Sequence, residues 1–82
     1  MENEEVRRIL QAAAVQDPSI GPGAVRVARR CLAIHAADRS LDASELARRC
    51  VAELPDADAS WVAHIARAVT AYSASGGGRS GP

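Results

Sequence analysis

The sequence predicts an all-α protein, a compact four-helix domain over residues 1–73 followed by a disordered Gly/Ser-rich tail over residues 74–82. Three observations lead to this fold class. Apolar residues recur every three to four positions in four segments, as on one face of a helix. Alanine, the strongest helix former, accounts for 18 of the 82 residues. No segment alternates apolar and polar residues over a useful length, so we expect no strand.

The first helix is predicted from about Glu2 to Gln16. Its early glutamates suit the positive end of the helix dipole. Asp17-Pro18 ends it, because the residue before a proline disfavours the α conformation. The apolar residues of this segment share one face, which should pack on the core: Val6, Ile9, Leu10, Ala13 and Ala14.

The second helix is predicted from about Pro22 to Ala37, with the proline at the first helical position, where its missing N–H costs nothing. Its arginines, Arg26, Arg29 and Arg30, share the outer arc with Ala33. The apolar arc covers about half of the circumference, so this helix should be central and touch more than one neighbour. That arc consists of Ala24, Val25, Val27, Ala28, Cys31, Leu32, Ile34 and His35.

The third helix has the clearest start signal. Asp42 and Glu45 have the spacing of a capping box, and Leu41 and Leu46 stand where a hydrophobic staple would close. Pro55 ends the helix. One stripe of this segment should face the core: Leu46, Ala47, Cys50, Val51 and Leu54.

The fourth helix is predicted from about Asp58 or Ala59 to Ser73. The tail that follows contains Gly76-Gly77-Gly78 and has no apolar residue to bury, so it is expected to be disordered. The inner face of the helix should consist of Trp61, Val62, Ile65, Ala68, Val69 and Tyr72.

Charge and composition narrow the classes of function. Ten acids balance ten arginines, and there is no lysine, so no overall field attracts nucleic acid or an anionic membrane. The acidic start is the opposite of a signal peptide, and no apolar run approaches the roughly 20 residues that cross a bilayer. We therefore expect a cytoplasmic protein. Only 16 residues are Leu, Ile or Val and none is Phe, so the core is thin, a weakness that oligomerisation often remedies.

A hexad occurs twice in the chain, 19 positions apart. Ala-Arg-Arg-Cys-Leu-Ala at 28–33 returns as Ala-Arg-Arg-Cys-Val-Ala at 47–52. Each copy should direct its arginines to water and its cysteine inward. We predict that two parallel basic ridges, formed by Arg29, Arg30, Arg48 and Arg49, bind an acidic partner or another copy of the chain. The alternative is that these arginines only solvate the outer face and pair with Glu45, Glu53 or Asp38.

The two cysteines, Cys31 and Cys50, are expected to be buried, reduced thiols that act as small hydrophobic side chains. Three alternatives are weaker. A metal site with His35 and His64 lacks the short ligand pairs of zinc modules. A redox pair requires a proximity that the sequence does not establish. A catalytic cysteine would need a cavity that so small a core has no room for. We expect no metal, no cofactor and no catalytic residue.

These observations favour a small helical protein–protein interaction module, an adaptor or accessory subunit without catalytic activity. Its expected partner is another protein or a second copy, as in a homodimer, with nucleic acid disfavoured and no membrane. The alternative is a helix-turn-helix-like DNA-binding regulator or antitoxin that uses helices three and four. Against it, the connection from Glu53 to Asp58 is too long for that motif, and Asp56 and Asp58 would repel phosphates.

Overall fold

The computed structural model describes residues 2–74, with side chains from residue 4 onward, and within them it contains four α-helices, one short 3₁₀ helix and no strand. The all-α prediction is therefore confirmed for this part of the chain. Of the predicted tail, residues 74–82, Ala74 belongs to the last helix, and residues 75–82 lie outside the described part. The elements are α1 (Glu2–Gln16), the 3₁₀ helix (Pro22–Ala24), α2 (Val25–Ala37), α3 (Ala43–Glu53) and α4 (Ala59–Ala74).

Helix α1 begins and ends where the sequence predicts. Its buried positions, Val6, Ile9 and Ala13, recur at helical spacing, with Leu10 and Ala14 half-buried beside them. Three or four residues separate each buried position from the next, so they form one narrow stripe that packs on the core.

The first turn of the second helix differs from the prediction. Residues Pro22–Ala24 form a 3₁₀ turn, and the α-helix begins only at Val25. The N–H of Ala24 donates to the carbonyl of Gly21 at 2.9 Å. This bond spans three residues, as in a 3₁₀ helix, whereas the bonds of an α-helix span four. The arginines of α2 are exposed, and the helix packs against α1, α3 and α4, as its wide apolar arc predicts. Its buried residues are Val27, Ala28, Cys31 and His35.

The start of α3 confirms the predicted cap. The Asp42 carboxylate accepts the N–H of Glu45 at 2.9 Å, and both residues of the predicted staple, Leu41 and Leu46, are buried. The other half of a capping box would turn the Glu45 carboxylate back towards the cap. That carboxylate instead lies 3.5 Å from the Arg48 guanidinium, one turn further along the helix.

Helix α4, like α2, packs against all three other helices, and its contacts with them are the most extensive between helices in the domain. Asp58 fixes its start, accepting the N–H of Ser60 at 2.9 Å. The predicted inner face is buried at Val62, Ile65 and Val69 and half-buried elsewhere. The prediction missed Ala66, which is fully buried. Its small side chain permits close approach of a neighbouring helix.

The connections before the 3₁₀ helix and before α3 share one turn. In Asp17-Pro18-Ser19-Ile20 and again in Asp38-Arg39-Ser40-Leu41, the aspartate accepts both the N–H and the hydroxyl of the serine two residues on. In each case the backbone N–H of the following apolar residue donates to the aspartate carbonyl, and that apolar side chain is buried. The turn therefore ends one helix and anchors the chain to the core before the next.

In the part of the chain that the structure describes, none of the helices combines the length and the apolar character that a bilayer crossing requires. The longest, α4, has 16 residues.

Candidate functional site

The two hexads face each other across the contact between α2 and α3. Arg26, near the start of α2, pairs with Asp56, just beyond the end of α3, at 3.1 Å. One turn further along α2, Arg30 lies 3.4 Å from Glu53 in the last turn of α3. These contacts show that the helices run antiparallel, so the two arginine ridges also run in opposite directions and are not parallel as predicted.

The side chains of the hexads divide as the sequence predicts. Arg29, Arg30, Arg48 and Arg49 are all exposed, whereas Cys31 and Cys50 are 0% exposed. The helices therefore use one face for the core and leave the other for the arginines. We call this outer surface, defined by the four arginines, the arginine face.

Two of the four arginines form ion pairs within the chain. Arg30 pairs with Glu53 across the helices, and Arg48 pairs with Glu45 on its own helix at 3.5 Å. The four side chains of these two ion pairs are between 43% and 75% exposed. At that exposure such pairs stabilise a protein by about 0 to 1 kcal/mol. The alternative, in which the arginines pair with neighbouring acids, therefore holds for two of the four arginines, Arg30 and Arg48.

The other two arginines, Arg29 and Arg49, have no ion pair with any carboxylate among residues 4–74. Arg49 acts only at longer range, on Asp38. Hydrogen bonds from Ser40 hold the pKa of the Asp38 carboxyl below its ordinary value, and the charge of Arg49 lowers that pKa further. The arginine face therefore contains two guanidinium groups whose donors are free to bind a group outside the described chain.

Charge is distributed unevenly along the neutral chain. The segment from the start of α2 to the end of α3, residues 25–53, contains six arginines and four acids. Residues 2–5 and 53–58 each contain three acids and no arginine. The chain is therefore basic over α2 and α3 and acidic over residues 2–5, although Glu53 and Asp56 pair with Arg30 and Arg26 of α2.

The two thiols meet beneath the arginine face. The Cys50 thiol donates a long, weak hydrogen bond to the carbonyl of Val27 at 3.9 Å. The interaction between the two thiols, together with burial, raises the pKa of Cys31. The same interaction lowers the pKa of Cys50.

The sequence alone does not establish the proximity of these cysteines, although their positions on either side of the connection between α2 and α3 indicate it. Cys31 and Cys50 lie at nearly the same distance, nine and ten positions, from Ser40 in the middle of the connection between α2 and α3, so an antiparallel pair brings them to about the same level.

The alternative of a metal site with His35 and His64 requires several ligand side chains close together. Within residues 2–74 no group of three His, Cys, Asp or Glu side chains is placed to hold a metal ion.

The outer surface of α4 bears on the DNA-binding alternative, which needs this helix to enter a groove. Its buried face is committed to the three other helices. Asp58 lies at the end that would approach the phosphates, and it is already used as a helix cap. Among the exposed positions of α4, Arg67 has the one charged side chain. These positions are Ala59, Ser60, Ala63, Arg67, Ala71 and Ala74.

Comparison with protein-family models, with curated proteins and with solved structures finds no significant match to this chain. The functional interpretation therefore depends on the geometry of the arginine face and of the thiols beneath it.

Proposed function

We propose that this protein is a small helical protein–protein interaction module, an adaptor or accessory subunit without catalytic activity, that binds an acidic surface through the arginine face. The observation that carries the proposal is the state of Arg29 and Arg49. Both are exposed on helices whose opposite sides are buried, and neither has an ion-pair partner within the described chain.

The chemistry of arginine supports this assignment. A guanidinium group presents its donors in a planar fork that matches a carboxylate, and it is more weakly hydrated than an ammonium group. Side chains of this type are enriched among the residues that dominate protein interfaces. Arg29 and Arg49 can bind a partner without breaking an existing pair. Arg30 and Arg48 can exchange their exposed partners for new ones at a cost of about 1 kcal/mol or less.

The partner class follows from the charge of the face. The arginine face has four guanidinium groups, two of them without an ion pair, and so complements an acidic protein surface. A second copy of the chain is one such partner, because its residues 2–5 contain three acids. Self-association would also add stability to a domain whose core contains seven fully buried side chains larger than alanine.

Charge reversal at the two unpaired arginines tests the proposal. The variant Arg29→Glu with Arg49→Glu is compared with the wild type and with Arg7→Glu plus Arg67→Glu, which makes the same charge change on α1 and α4. Sedimentation velocity measures self-association, and affinity capture from the source organism measures partner binding. Circular dichroism checks that each variant remains helical.

The expected result is that both associations survive in the control and are lost in the Arg29/Arg49 variant. If the two variants behave alike, the arginine face does not dock a partner. Binding to duplex DNA that falls steeply with added salt would favour the DNA-binding alternative instead.

A further inference from the structure

The contact between α2 and α3 encloses two thiols that the proposed docking does not use. Cys31 and Cys50 are both 0% exposed, and each thiol shifts the pKa of the other. The Cys50 sulfur also lies 3.9 Å from the carbonyl of Val27, one helical turn before Cys31 on the same helix. The ion pair between Arg30 and Glu53 joins the same two antiparallel helices close to the thiols. Two cysteines from different elements are thus held side by side.

We propose that Cys31 and Cys50 form a site of reversible oxidation, at which a peroxide-class oxidant closes a disulfide bond between α2 and α3. The proposal depends on the packing of these two helices alone, so it stands or falls independently of what the arginine face binds. Both sulfur atoms are free in the structure.

The surroundings of the two thiols differ. Their interaction, together with burial, raises the pKa of Cys31, whereas the same interaction lowers the pKa of Cys50. The thiolate is the nucleophilic form of cysteine. Cys50 is therefore the sulfur that attacks the peroxide, and Cys31 is the resolving thiol.

The reaction balances in two steps. The Cys50 thiolate attacks one oxygen of the peroxide and breaks the O–O bond, giving a sulfenic acid and a hydroxide ion that takes up the proton lost by the thiol. The Cys31 sulfur then attacks the Cys50 sulfur and displaces the hydroxyl group, which leaves as water with the Cys31 proton. The two thiols lose two electrons, and the peroxide is reduced to two molecules of water.

Burial of the thiols limits the rate of this reaction, and the disulfide bond that forms changes the stability of the fold. A peroxide reaches Cys50 only when α3, the shortest of the α-helices with 11 residues, opens locally. Bulky thiol reagents should therefore react slowly until the protein unfolds. Once formed, the disulfide restrains the unfolded chain, which raises the thermal stability of a fold whose geometry it fits.

The test begins with the fully reduced protein treated with hydrogen peroxide in native buffer. The intact mass should fall by two hydrogen atoms, and the product should remain a single chain with a helical spectrum. Trypsin cleaves after arginine and should release peptide Cys31–Arg39 linked to peptide Cys50–Arg67. The oxidised protein should melt at a higher temperature than the reduced protein, and dithiothreitol should reverse each change.

Single-cysteine variants separate the two roles. Cys31→Ser should accumulate a Cys50 sulfenic acid that a cyclic 1,3-dione traps, whereas Cys50→Ser should react more slowly and form little adduct. If serine disturbs the core and the helical spectrum is lost, Cys31→Ala and Cys50→Ala provide the same comparison. Four results would overturn the proposal: thiols that resist peroxide in the native state, separate oxidation of each sulfur to a sulfinic acid, links only between chains, or a linked chain that melts lower than the reduced protein.

Discussion

At the scale of single residues, aspartate side chains set where the helices begin and how the connections fold. Asp42 and Asp58 accept N–H groups in the first turns of α3 and α4. These N–H groups have no partner inside their own helix, so each bond satisfies a donor that would otherwise depend on water. The sequence predicts the cap at Asp42 from its capping-box spacing with Glu45, whereas for α4 it predicts only a start at about Asp58 or Ala59.

The cap of α3 provides the first prediction. Asp42→Ala removes the oxygen that accepts the Glu45 N–H and should lower the free energy of unfolding by about 0.5–2 kcal/mol. Asp42→Asn should cost less, because an amide oxygen can still cap. Urea unfolding of the two variants beside the wild type measures both effects. Equal stability in all three proteins would mean that α3 does not depend on this cap.

The two serine turns predict a dependence of stability on pH. Hydrogen bonds from Ser19 and Ser40 lower the pKa values of Asp17 and Asp38 below the ordinary value of 3.8. Because each pKa is lower in the folded state, the folded protein binds fewer protons as these groups titrate. The stabilisation is therefore complete above pH 3.8 and is lost as the pH falls through the lower, folded values.

The variants Ser19→Ala and Ser40→Ala remove the hydroxyl donors and should be less stable than the wild type near neutral pH. The difference should shrink as the pH falls below about 3.8 and the carboxylates of both proteins become protonated. Thermal melts across that range measure it. A stability difference that does not change with pH would show that the serines act through packing alone.

At the scale of elements, the sequence predicts the helices well because their apolar residues recur so regularly. The bounds of α1 match, and the buried positions of α3 lie on the predicted stripe. Two features escaped the prediction. The 3₁₀ turn at Pro22–Ala24 depends on how tightly the chain must bend after Gly21. The burial of Ala66 depends on which helices surround α4, and periodicity within one helix does not show its neighbours.

Helix α4 offers a matched test of close packing. Ala66→Val adds two methyl groups at a fully buried position and should destabilise the fold by about 1–3 kcal/mol. Ala63→Val makes the same chemical change at an exposed position of the same helix. It carries only the lower helix propensity of valine, roughly 0.5 kcal/mol. Denaturant unfolding of both variants gives the difference, and equal losses would contradict the position of α4 at the centre of the domain.

At the scale of the whole molecule, the antiparallel pair α2–α3 presents arginines outward and cysteines inward, while α4 closes the core behind them. The sequence predicts this division of side chains and the four arginines, since it follows from helical spacing. The direction of one ridge relative to the other, the pairing of Arg30 and Arg48, and the meeting of the thiols all depend on how the helices pack. Local sequence patterns do not determine those contacts.

The claim that the arginine face binds a partner is tested most directly by comparing two double reversals in one binding assay. The first is Arg48→Glu with Arg49→Glu, and the second is Arg7→Glu with Arg67→Glu, away from the face. The account predicts that the first variant keeps its helical spectrum and binds at least about tenfold more weakly, a loss of about 1.4 kcal/mol or more, while the second binds as the wild type does. Unchanged affinity in the Arg48/Arg49 variant would contradict it and leave these arginines as a solvated surface.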